Sequence, residues 1–215
     1  MGLWLRNTGE FLRKDVKLSI RNNFVIAILF LLCIPGIRGV SNLDEMQAAE
    51  CLEQFLVIIG IILITPINRL EFETEIRELI FSKERSYTAV NFFRIVISCC
   101  LTAVLITMFV IFLKSNNCIF PFWKYTVSSI LASCFLGLFG LLLSQIGQNA
   151  AVGYLGALGY YSLNKMQMVS KDFPFYLFQL EKGSSFVEII ILWGILNTAL
   201  FIMILFILSR RTAIG

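Results

Sequence analysis

From Val90 to Leu113 the chain reads VNFFRIVISCCLTAVLITMFVIFL, twenty-four residues in which Arg94 is the single charge. That run exceeds the about 20 residues a helix needs to cross the hydrocarbon core of a bilayer. Backbone at membrane depth must satisfy its own hydrogen bonds, and this run is continuously apolar rather than alternating, so it specifies a helix. Comparable runs recur along the chain, giving six expected spans at 23–40, 54–67, 90–113, 125–146, 149–163 and 186–208. The second and fifth are short for a full crossing.

Composition agrees. The 215 residues are 58% hydrophobic and only 15% charged, too little charge to cover a soluble domain. The expected fold class is therefore an all-α integral membrane protein of six transmembrane helices. Residues 1–22 carry charge through Arg21 before the first apolar run begins, unlike a cleavable signal, so the first span is expected to stay as an anchor.

Lys and Arg set the expected orientation. With the N-terminus cytoplasmic, twelve of the 18 basic residues fall inside: Arg6, Arg13, Lys14, Lys17, Arg21, Arg69, Arg77, Lys83, Arg85, Arg94, Arg210 and Arg211. Arg38, Lys114, Lys124, Lys165, Lys171 and Lys182 fall outside, an asymmetry in the positive-inside sense. Both termini and the 209–215 tail are then cytoplasmic, in a multi-pass protein of the inner or plasma membrane.

Two amphipathic segments flank the spans. In residues 1–22, Trp4, Phe11, Leu12 and Val16 fall on an apolar face opposite the basic residues, which predicts an interfacial helix with Trp4 at headgroup level. A basic flank that merely sets topology is the alternative reading. The second segment is EFETEIRELIFSKER, Glu71–Arg85, the densest charge in the chain. There Phe72, Ile76, Leu79 and Ile80 recur at i, i+4, i+7 and i+8, predicting a short cytoplasmic helix over about 71–82. Its acidic residues come early and Lys83 and Arg85 late, which suits the helix dipole.

The set of an interfacial N-terminal helix, six spans, two inner termini and one Glu-rich helix in the first cytoplasmic loop resembles the membrane subunit of an ABC transporter, in the class of small six-span type-2 exporter permeases. Glu71, Glu75, Glu78, Leu79 and Ile80 match the acidic part and the apolar pair of that class's loop. Arg94 stands where the class commonly has a Lys after a Gly. Ile76-Arg77 and Ser82-Lys83 replace the Gly and Pro that often bracket the pair. The resemblance implies that Phe72, Glu75, Ile76, Glu78, Leu79 and Ile80 form a coupling helix docking on a separate ATPase. The assembly would hold two ATPase copies and a second permease, identical or related, and would move a peptide, lipid or other amphiphile. It also implies that residues 165–185 form short re-entrant helices at the outer surface; a long outer loop with aromatic anchors (Phe173, Phe175, Tyr176, Phe178) reads equally well.

The chain has no GxxxxGK[ST] loop, so ATP and Mg would be bound only through the partner, and this chain is not expected to be an enzyme or to hold a cofactor or metal. It has no His, which removes His-based triads, HExxH sites and His-ligated haem. The six cysteines show no CxxC spacing; Cys51 and Cys118 lie near span ends, where a disulfide is conceivable. Glu53, Glu188 and Arg94 are the candidate intramembrane polar sites, with both carboxylates read as interfacial. Gly153, Gly156 and Gly159 form a small-residue face, and Gln145, Gln148, Asn149 and Asn164 read as helix caps. Lipid is an expected partner and nucleic acid is not. The other functional readings are an immunity or accessory membrane protein without transport, and a membrane-embedded enzyme of the Ser-Lys kind.

Overall fold

The computed structural model describes residues 21–72, 87–171, 173 and 175–214, with the side chains of 69–72, 87–89 and 211–214 outside the description. The described chain is helical: α1 (Arg21–Arg38), α2 (Glu45–Asn68), α3 (Tyr87–Ser115), α4 (Phe122–Gly147), α5 (Ala150–Lys165), α6 (Gln179–Lys182) and α7 (Phe186–Ile214). Five of these, α1, α2, α3, α4 and α7, are long and apolar enough to cross a membrane. The fifth expected span is present as α5, a helix of 16 residues. At 1.5 Å per residue it reaches about 24 Å, short of a hydrocarbon core of about 30 Å.

The second span starts earlier than its apolar run suggests. Its helix begins at Glu45, where the Asp44 N–H donates to Gln47 Oε1 at 3.3 Å, rather than at Gln54. Within it, Leu52–Leu56 form a π-helical turn, and from Thr65 the backbone tightens to 3-10 geometry that runs on past a kink at Asn68 to Phe72.

α4 is the central helix, packed against α2, α3, α5 and α7. Close approach explains why. A Cβ on Gly60 would overlap the Ser133 carbonyl, and one on Gly137 would crowd Gly60 and Ile64. The α2 and α4 backbones therefore touch where both lack side chains, the geometry that membrane helices use when burial from water no longer drives association. On the other flank, Gly153 faces the Gly140 carbonyl and Gly156 faces Leu143, bringing α5 onto α4. Gly159 meets nothing within 4 Å among the described residues, so the close approach of α5 to α4 ends at Gly156.

α7 joins α4 through an aromatic and a polar contact. Trp193, fully buried, sits with its ring centroid 4.6 Å from that of Phe135. Asn197 Nδ2 donates to the Leu131 carbonyl on α4 at 3.0 Å and to Trp193 O at 2.8 Å. α1 lies at the periphery, with Leu29, Leu32 and Ile37 exposed.

The connections 39–44, 116–121 and 166–185 gather at one end. Asn42 N donates to Asn116 O, and Ile119 N to Leu43 O, each at 3.1 Å. Tyr125 Oη donates to Glu45 O at 3.1 Å, and Arg38 pairs with Glu50. Cys51 and Cys118 are free buried thiols at this end, and Cys118 Sγ lies 3.3 Å from Val40 O. α2 leaves the bundle, and α3 enters it, at the opposite end.

Of the polar residues bracketing α5, Asn149 caps it, its side chain accepting from Ala151 N at 2.9 Å. Gln148 ends α4 in a left-handed conformation (φ 49°). Asn164 and Gln145 do something else: both are fully buried. The expected interfacial helix with Trp4, Phe11, Leu12 and Val16 lies outside the described residues, as do Glu75, Ile76, Glu78, Leu79 and Ile80. Phe72 closes the 3-10 stretch after α2, with its side chain outside the description.

Candidate functional site

The sequence pattern treats Glu53 as a carboxylate at the lip of a span. The structure places it two turns inside α2, in the π-helical turn and with no exposed surface. A π-turn widens the helix by one residue, frees backbone carbonyls and re-aims the side chains around it. Here the re-aimed side chain is Glu53. Its Oε1 accepts from Leu180 N at 2.7 Å and its Oε2 from Glu181 N at 3.0 Å, so both oxygens are occupied by consecutive backbone donors. A buried carboxylate is tolerable only with such partners.

The same turn is tied from three more directions. Gln54 Nε2 donates to the Glu181 carboxylate at 2.9 Å, and the Gln54 carbonyl accepts from Tyr161 Oη at 2.7 Å. On the α4 side, Gly60 N donates to Ser133 Oγ at 2.9 Å, and that hydroxyl lies 3.3 Å from the Leu56 carbonyl. A side-chain hydroxyl has thus inserted into the i→i−4 ladder, which is one way a helix accommodates an irregular turn.

The segment after α5 is folded down to meet this clamp. Asn164 Oδ1 accepts from Leu177 N at 2.9 Å, and Tyr160 Oη donates to the Phe175 carbonyl. Tyr176, Leu177, Phe178 and Leu180 are buried, so residues 175–182 form a packed cover rather than a solvated loop. Burial raises the Tyr176 phenol above its ordinary range, and the nearby charges of Glu181 and Glu53 add to that. The phenol therefore stays neutral. Gly183, at φ 79°, turns the chain out of α6, and Ser185 and Glu188 then cap α7 reciprocally: Ser185 N donates to Glu188 Oε2 at 3.2 Å and Glu188 N to Ser185 Oγ at 3.3 Å. Glu188 is therefore a cap residue in the first turn of α7.

Arg94 belongs to a different place. Asn91, Arg94, Ser98 and Thr102 recur at i, i+3, i+7 and i+11 on α3, and all four are buried. The residues that α3 exposes between them, Phe92, Phe93 and Val96, are apolar. The first half of α3 thus turns a polar stripe inward, with Arg94 Nη1 donating to Asn91 Oδ1 at 3.4 Å. Thr65 and Asn68 on α2, and Ser144 and Gln145 on α4, are fully or almost fully buried toward the same end of the bundle. The Asn68 amide has no partner among the described residues. Intramembrane polar groups held inside a bundle are functional candidates by default.

Among the described residues, no three of His, Cys, Asp or Glu lie together as metal ligands would. The geometry offers a held cover at one end and a buried polar interior at the other. Comparison with known protein families, with curated proteins and with solved structures finds no match to this chain.

Proposed function

We propose that the chain is the permease subunit of an ATP-driven exporter of the ABC type, crossing the membrane six times with both termini cytoplasmic. In this reading α5 is the fifth crossing, joining the five longer helices to make six, and it is short because the 175–182 cover completes the outer half of its path. The observation that carries the reading is the opposition of the two ends. The packed cover clamped by Glu53 stands at one end, while α2 and α3 hand over to the Glu-rich block at the other. An energy-coupled switch needs that layout, with a gate on one face, a docking segment on the opposite face, and helices between them that have two arrangements of similar energy.

The basic residues agree with the assignment of faces, since the cover's end carries the smaller share. The buried stripe of Asn91, Arg94, Ser98 and Thr102 lies along the inner half of the route, where a polar path is most useful. ATP and Mg are handled by two partner ATPase subunits, docked on Phe72, Glu75, Ile76, Glu78, Leu79 and Ile80. A second permease completes the assembly, and the cargo is a peptide, lipid or other amphiphile.

The test is co-purification. The affinity-tagged chain, solubilised from its native membrane in mild detergent, is expected to retain a protein with Walker motifs. Changing Ile76→Asp and Leu79→Asp together should release it and abolish ATP turnover that the pair sustains. Absence of any such ATPase from the wild-type complex, or full retention by the double variant, sinks the reading.

A further inference from the structure

Beside the cover, at its junction with α7, runs an open groove of about 540 Å³. Its walls come from Phe175, Gln179, Lys182 and Ser184 on one side and from α7 on the other. The α7 wall is a single helical face: Glu188, Ile191, Leu192 and Ile195 stand at i, i+3, i+4 and i+7. That face begins with a carboxylate at the membrane edge and continues over about 10 Å as bare hydrocarbon. Ile191 and Ile195 are 56% and 64% exposed, so no other helix among the described residues covers them.

Charge at the mouth narrows the choice of occupant. Lys182 and Glu188 both line the groove but do not pair with each other among the ion pairs of the described residues. Glu188 spends one oxygen on the Ser185 N–H and keeps the other available. An anionic headgroup would satisfy Lys182 and be repelled by Glu188, and a cationic one would do the reverse. A headgroup bearing both charges satisfies both residues, with Ser184 as an additional hydroxyl. An acyl chain running below it matches the Ile191 and Ile195 face.

We propose that this groove binds a zwitterionic phospholipid, with its phosphate on Lys182, its amine-derived cation on Glu188 and one acyl chain along Ile191 and Ile195. The site goes beyond the transporter reading and stands without it, because it needs only this chain and a lipid.

The full chain, in detergent micelles, is mixed with phosphatidylethanolamine, phosphatidylcholine and phosphatidylglycerol of identical acyl chains, and bound lipid is read by intact-complex mass spectrometry. The expected result is a single retained lipid, zwitterionic in clear preference to phosphatidylglycerol. Lys182→Glu and Glu188→Lys should each lower that preference by about tenfold, the loss of one charge-assisted contact. The two changes together should restore much of it, because the charges are exchanged rather than lost. Ile195→Trp should reduce retention of all three lipids. Where a charge reversal disturbs the cap of α7, Lys182→Gln and Glu188→Gln provide the same comparison in a chain that elutes as the wild type does. Equal retention of the three lipids overturns the proposal, as does a preference that neither charge change moves. So does efficient crosslinking of two copies through Ile195→Cys with no lipid bound, which would assign this face to a second copy of the chain. None of these readouts involves an ATPase, so failure here and failure of the transporter reading are separable.

Discussion

The carboxylate of Glu53 and the backbone N–H of Leu180 meet at 2.7 Å across 127 residues of sequence, and with them the second helix grips the cover of the bundle. One buried side chain thereby fixes the position of a segment that has little regular structure of its own. The contact is shielded from water, which makes it expensive to break, because two buried N–H groups would be left without a partner.

Replacing Glu53 by Ala should therefore release residues 175–182. Leaving a buried N–H without its acceptor costs about 1–3 kcal/mol, so orphaning the two donors should cost on the order of 2–6 kcal/mol locally. Trypsin cleavage at Lys171 and Lys182 in detergent should accelerate relative to the wild type. Glu53→Gln should show a smaller acceleration in the same direction, because the amide presents one acceptor and one NH2 to two N–H donors. Unchanged cleavage in both variants would show that the cover is held elsewhere.

Ser133 offers a test of the π-turn. Its hydroxyl bridges Gly60 N and the Leu56 carbonyl, and Ser133→Ala leaves the buried N–H without that partner. A loss of about 1–3 kcal/mol is expected, visible as a lower midpoint of thermal unfolding in micelles. Ser133→Cys, with a weaker donor and acceptor of similar shape, should fall between.

Gly60 and Gly159 make a matched pair. Gly60→Leu places a side chain against the Ser133 backbone and should prevent α2 and α4 from closing. The cost of overpacking is usually about 1–3 kcal/mol, and here it falls on backbone, which cannot yield, so loss of folded, monodisperse protein is expected. Gly159→Leu meets open space and should purify like the wild type. Equal behaviour of the two variants would contradict the α2–α4 crossing.

Asn197 should matter less than its position suggests. Its amide bonds Leu131 O and Trp193 O inside the bundle. Interhelical hydrogen bonds of this kind average about 0.6 kcal/mol in membranes. Asn197→Leu is accordingly expected to shift thermal stability by only a degree or two, well under the effect of Glu53→Ala. A large loss would place Asn197 among the functional groups instead.

How much of this was legible beforehand differs from residue to residue. The stripe at Asn91, Arg94, Ser98 and Thr102 is written in the sequence as four polar residues at helical spacing within an apolar run. Of the four, only Arg94 carries a charge; the others are small or neutral side chains that an apolar helix also tolerates on its lipid face. The Glu53 clamp had no such signal. Its partners are backbone N–H groups of Leu180 and Glu181, which every non-proline residue possesses, so no side-chain pattern can announce them. Asn149 and Asn164 flank the same helix with the same chemistry. One caps α5, and the other crosses to Leu177, a difference set by what lies opposite each.

By itself the sequence determined that the chain forms helices, several of them long and apolar enough to cross a membrane, because a continuously apolar run in a bilayer leaves a backbone no other way to satisfy its hydrogen bonds. It also set where a glutamate-rich segment interrupts those runs, and which helices carry small residues. Tertiary structure alone decided that α2 opens a π-turn at Leu52–Leu56 and that Glu53 is buried under a folded cover. Those outcomes depend on close approach between segments distant in sequence. Contacts of that kind follow from the shape of the neighbouring backbone, which local composition does not encode.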